Sequence, residues 1–157
     1  MISKFWNWYQ QNYTLNLTAA AVLFSMQVVH LFWLLLHVIL PKLGFPDLFA
    51  YFSFLNWPLI IVDYTEIPAI ISTSFIYLNE IRRRPNIKSW LYLIFLNIQW
   101  LHIFWITDEF VLETIYLSGF LWWTAIVIDY LEVPVIIDTM QKLTYNLQNK
   151  LLRGKAD

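Results

Sequence analysis

Four long apolar stretches separated by short polar ones set the pattern of this chain. The first runs from Leu15 to Leu40. About 20 apolar residues cross the hydrocarbon of a bilayer as a helix, so this stretch predicts a span. It is too long for the apolar region of a signal peptide and ends without a small-residue cleavage site, so it is expected to remain as a membrane helix. Ahead of it, Met1 to Thr14 reads as an amphipathic lead-in, with Trp6 and Trp8 suited to a headgroup interface. Pro41-Lys42-Leu43-Gly44-Phe45-Pro46 predicts a turn. Leu48 to Leu78 is apolar again, but Pro58 and Pro68 interrupt it. The preferred division is a short interfacial helix up to Trp57, then a span with Pro58 in its first turn. The other division is a single tilted, kinked helix from Leu48. Asn79 to Ser89 carries Arg82, Arg83, Arg84 and Lys88 and predicts a basic loop. Trp90 to about Leu112 forms a third span and Ser118 to about Met140 a fourth, followed by a polar, basic tail over 141–157.

The basic residues give this arrangement a direction. Nine of the ten fall on one side: Lys4, the four in the middle loop, and Lys142, Lys150, Arg153 and Lys155. Only Lys42 falls on the other. The positive-inside rule then places both termini in the cytoplasm of a four-span, multi-pass protein.

The spans also repeat. Gln27, His30, Phe32 and Trp33 match Gln99, His102, Phe104 and Trp105 at an offset of 72, which sets His37 against Glu109. Removing the six-residue turn at 41–46 changes the offset to 66. Asp63-Tyr64-Thr65-Glu66-Ile67-Pro68 then lies on Asp129-Tyr130-Leu131-Glu132-Val133-Pro134. The identities are polar and aromatic, which chance apolar similarity would not produce. Repeat one covers 15–78 and repeat two 90–140 within a single membrane domain. With two spans each, the units share one orientation, a parallel repeat about an axis along the membrane normal. The expected fold is an all-α four-helix membrane bundle.

Composition narrows the class further. The chain of 157 residues is 59% hydrophobic, 19% aromatic and only 13% charged. Soluble domains carry about 25% charged residues. A net charge of −1 gives no reason to expect a nucleic acid. The absence of cysteine excludes disulfides, thiolate metal sites and Cys nucleophiles. The expected partners are the lipid bilayer and a lipid-soluble small molecule, and a homo-oligomer remains an allowed assembly.

The chemistry lies in the acids. Two carboxylates three residues apart share a helix face, about 4.5 Å apart along its axis. Here the pair occurs twice, as Asp63/Glu66 and Asp129/Glu132, at depths where an ionisable group is costly and so marks function. No Lys or Arg lies within a span, which leaves a metal, a histidinium or a protonated carboxyl as the compensating device. His30 and His102 complete a six-residue metal set. Two histidines and four carboxylates match the inventory of soluble di-iron and di-manganese bundles, although those use E-x-x-H pairs. Imidazole with carboxylate suits iron, zinc or manganese. Two histidines could also hold haem b, but four carboxylates line a porphyrin poorly.

Around this set, Gln27 and Gln99 are candidate donors that orient the histidines. Trp33 and Trp105 are candidate pocket walls. His37 and Glu109 lie two turns, roughly 10 Å, beyond His30 and His102, and are assigned to an outer layer or an access path. Pro68 and Pro134 release the Tyr64 and Tyr130 carbonyls and predict a kink. H-E-x-x-H, Walker and G-x-S-x-G motifs are absent. The leading expectation is metal-dependent redox chemistry on a membrane-soluble substrate. The alternatives are a divalent-cation or proton transporter and a metal-free acid/base enzyme for a lipid-like substrate. Protonated, hydrogen-bonded acids serving only packing are the plainest alternative.

Overall fold

The protein is described from a computed structural model covering residues 2–108 and 119–153. Every regular element among those residues is helical. Helix α1 (Ile2–Gln11) leads into a long helix α2 (Tyr13–Lys42). Within α2, Leu34–Ile39 is wound as a π-helix. Pro41 follows it and has no N–H to offer the His37 carbonyl, so regular α pairing cannot continue there. The chain turns at Gly44, whose φ of 91° favours glycine. A 3-10 helix at Ala50–Leu55 precedes α3 (Asn56–Tyr64), with Pro58 in its first turn as the sequence pattern predicts. Then follow α4 (Glu66–Arg83), α5 (Ile87–Thr107), α6 (Gly119–Tyr130) and α7 (Glu132–Arg153).

Helix α2 packs against α4 and α7, and α5 packs against α4, α6 and α7. Phe24, Leu31, Ala69, Ile70, Tyr77, Leu96, Ile103, Val135 and Ile136 form the main apolar cluster between them. A smaller one holds Tyr9, Leu17, Ala20 and Ile76. The lead-in helix therefore does more than float at an interface: Tyr9 is buried against α2 and α4, and Phe75 touches the rings of Phe5 and Trp6.

Three boundaries differ from the sequence pattern. The basic loop is much shorter than 79–89, because α4 runs to Arg83 and α5 starts at Ile87. Arg and Glu are good helix formers, so charge alone does not end a helix. What ends it is Pro85 and Asn86, whose side chain accepts from the Lys88 N–H at 2.7 Å and caps α5. The tail is likewise helical to Arg153, with Leu143 packed on the Tyr9 cluster and Asn146 Oδ1 accepting from Thr14 Oγ1 at 2.8 Å. Of the four expected spans, two helices are long and apolar enough to cross a membrane among the described residues, Tyr13–Lys42 and Phe120–Leu152. The residues that lower the hydropathy of the other two stretches include Asp63 and Glu66 in one, and Asn97, Gln99 and His102 in the other.

Polar side chains share the interior with the apolar clusters, and large apolar side chains cover much of the outside. Gln27, His30, Asp63, Glu66, Thr73, Gln99, His102, Asp129, Glu132 and Thr139 are buried. Val29, Phe32, Ile61, Phe104 and Val127 are each more than half exposed on the outside. Buried polar groups are costly without partners, and broad apolar surfaces are rarely left to water.

Candidate metal centre

Each acid pair straddles a break in its helix. Helix α3 stops at Tyr64 and α4 begins at Glu66; α6 stops at Tyr130 and α7 begins at Glu132. Tyr64 and Tyr130 are the residues four before Pro68 and Pro134, whose rings remove the bond those carbonyls would accept. The backbone tightens locally: Thr65 N–H bonds Val62 O at 2.9 Å, and Leu131 N–H bonds Ile128 O at 3.0 Å. A glutamine from a neighbouring helix supports each break. Gln27 Nε2 donates to Val62 O at 3.0 Å, and Gln99 Nε2 donates to Ile128 O at 2.7 Å. The expected kinks fall at these single-residue interruptions, across which Leu131 N–H still reaches Val127 O and Ala69 N–H reaches Thr65 O, and the glutamines serve the backbone there. Glu66 and Glu132 each stand at the first position after the interruption.

The six proposed ligands gather at this level. His30 Nδ1 meets Asp63 Oδ1, and His102 Nδ1 lies 2.9 Å from Asp129 Oδ1. The two imidazole rings are 6.5 Å apart at 63°. His30, His102 and Asp129 each offer one ligand atom, and those atoms lie within 4.8 Å of one another. Glu66 and Glu132 lie close to each other and within electrostatic range of Asp63 and Asp129. Two carboxyls in such contact need a proton or a cation between them. All six residues are buried.

Many of their polar atoms have no hydrogen-bond partner. These include Nε2 of both histidines, Asp129 Oδ2, Glu66 Oε2 and Glu132 Oε1, and beside them the Oε1 atoms of Gln27 and Gln99. Except for the imidazole nitrogens, which suit either role, these atoms are acceptors. An acceptor-rich, buried layer is what a cation compensates. Two imidazoles and one carboxylate also match a three-ligand metal site with a position left open for substrate. In that arrangement Asp63 acts on His30 through Nδ1, holding the ring while Nε2 remains free.

The outer residues separate from the cluster. His37 Nδ1 contacts the Asp47 carboxylate, 2.8 Å from Oδ2, at the turn after α2. Glu109 lies outside the described residues. Trp33 bridges the levels, its ring 5.7 Å from His30 and 5.2 Å from His37. Trp105 is half-buried. Tyr64 OH pairs with Thr107 Oγ1 at 3.0 Å, and Tyr130 OH donates to Leu31 O at 3.1 Å, so both tyrosines tie helices together.

Two features escaped the sequence pattern. Thr73 and Thr139 are buried with unpaired hydroxyls, seven residues after Glu66 and Glu132 and so on the same helix faces. Their 66-residue offset was a readable signal. Asp47 as the partner of His37 was hidden in a turn motif. No protein-family model, curated protein or solved structure matches this chain.

Proposed function

We propose that this chain is a four-span membrane protein, built from two parallel repeats with both termini in the cytoplasm, that holds a metal between them. The repeat reading draws support from the pairs that recur at 66 residues: both helix breaks, both glutamine-supported carbonyls and both buried threonines. The membrane reading draws support from the apolar exterior around a polar centre. His30, His102 and Asp129 are the primary ligands. Asp63 orients His30, and Glu66 with Glu132 supplies bridging oxygens for the same or a second ion. Iron, zinc or manganese suits this donor set. The function is metal-dependent redox chemistry on a membrane-soluble substrate, in which His30, His102 and Asp129 would hold the metal that supplies the chemistry.

The observation that carries this reading is the layer of buried, unpaired acceptor atoms, set in apolar stretches whose sequence contains no Lys or Arg. Elemental analysis of protein purified without chelator tests it. About one to two ions per chain are expected, and the His102→Ala variant should lose them. A metal-free protein whose thermal stability ignores added iron, zinc and manganese would refute the centre.

A second reading, passage of protons or divalent cations, is favoured by Thr73 and Thr139, which extend the polar interior toward Tyr77 and Asp138. Proteoliposomes separate the two. Transport of protons or metal down a gradient, abolished in Thr73→Val, would move the assignment to a transporter.

A further inference from the structure

At the opposite end of the fold from Asp47, the C-terminus of α4, the N-terminus of α5 and the middle of α7 enclose a cavity of about 590 Å³. Its floor is a fixed ionic lattice. Asp138 is buried and receives Lys88 Nζ and Lys142 Nζ at 2.6 Å each, and Tyr77 OH at 2.9 Å. Lys142 also reaches Glu80 at 2.6 Å and lies over the Tyr77 ring at 4.2 Å. Ser89 Oγ donates to Glu80 at 2.8 Å. The two lysines thus neutralise the two carboxylates.

Arg83 and Arg84 line the same cavity, and neither has an ion pair among the described residues. The third arginine of the run is occupied elsewhere, with Arg82 over the Trp6 ring at 5.2 Å. Four cations and two carboxylates line the cavity, which leaves two positive charges at an exposed mouth. Two arginines lining a cavity whose other charges are paired suit a phosphate, because guanidinium pairs with phosphate oxygens in a bidentate fashion. A cavity of roughly 300–1,000 Å³ is large enough to bury a small ligand. In the topology proposed above, on which this inference rests, the mouth lies at the cytoplasmic headgroup level, where anionic lipids concentrate.

We propose that this cavity binds a phosphate group through Arg83 and Arg84, carried by an anionic lipid or supplied as free phosphate. The test uses the full-length chain in neutral detergent. Titration calorimetry compares short-chain phosphatidic acid, short-chain phosphatidylcholine and inorganic phosphate on wild type and on Arg83→Gln/Arg84→Gln. Wild type should bind the phosphatidic acid, and the double variant at least tenfold more weakly. Phosphatidylcholine, which is zwitterionic, should bind weakly to both. Inorganic phosphate binding as tightly as phosphatidic acid identifies the free anion as the source; much weaker binding identifies the lipid. The double variant should keep wild-type melting temperature and metal content, which separates this site from the metal centre. Equal affinity of wild type and double variant for phosphatidic acid, or binding by neither, overturns the proposal.

Discussion

The two aspartates occupy matched sequence positions but different geometric ones, and Asp63→Asn and Asp129→Asn should expose the difference. Asp129 belongs to the metal-sized group with His30 and His102, whereas Asp63 only contacts His30 Nδ1. At a metal concentration of about 100 times Kd, binding stabilises the folded state by about 2.7 kcal/mol. Removing a carboxylate that orients a ligating histidine weakens metal binding by roughly 10–100-fold. The linkage term then falls to about 0.4–1.4 kcal/mol in Asp63→Asn. Removing a ligand should abolish it in Asp129→Asn. For a chain of this size 1 kcal/mol corresponds to about 2–4 °C, so metal-induced stabilisation should shrink by about 3–9 °C in the first variant. In excess chelator the linkage contribution is absent. Each variant then loses only the contact between its carboxylate and one histidine, so both should melt below wild type and to a similar extent. Differential scanning fluorimetry in detergent, with metal and with chelator, reads both arms. Equal losses in the two variants would place Asp63 among the ligands. A wild type that melts at the same temperature with and without metal would refute the argument entirely.

Three further outcomes follow from the geometry. Pro134→Ala restores the N–H that the Tyr130 carbonyl lacks; helix α6 should join α7, shift Glu132 and weaken metal retention about tenfold without lowering the melting temperature, as read by metal competition. Cysteines placed at Gly44 and Asn86 should react with a membrane-impermeant reagent from opposite sides of the membrane, and labelling from one side would refute the four-span topology. The hydrogen bond from His37 holds the Asp47 carboxyl below its ordinary value of 3.8, so its stabilising effect is present above that pH and lost as pH falls through the depressed value. The difference in melting temperature between wild type and Asp47→Asn should therefore be present at pH 6 and vanish in stronger acid.

The helical class and the identity of the buried polar residues were legible because a charge inside an apolar stretch is conspicuous. The pairing of each histidine with one aspartate was less so, since it depends on how α2 faces α3 and how α5 faces α6. Charge is a poor guide to the helix ends: Arg82 and Lys142 sit within helices, while Pro85 and Asn86 supply the actual stop. Gln27 and Gln99 were legible as important but not in their task. A proline's effect on the carbonyl four residues earlier is local, yet the group that answers it comes from another helix.

The two helix breaks also differ in stiffness. Thr65 ties its hydroxyl to Val62 O at 2.6 Å and receives Gln27 Nε2 at 3.1 Å, whereas Leu131 at the matching position has no hydroxyl to offer. The first elbow carries one side-chain bond more, from the Thr65 hydroxyl, while the second is held by its backbone, Gln99 and the Tyr130 bond to Leu31 O. A load applied equally to both halves would bend the second first. A nearly duplicated sequence thus carries unequal bracing at its two elbows, and Asp129 and Glu132 sit on the one with fewer side-chain ties.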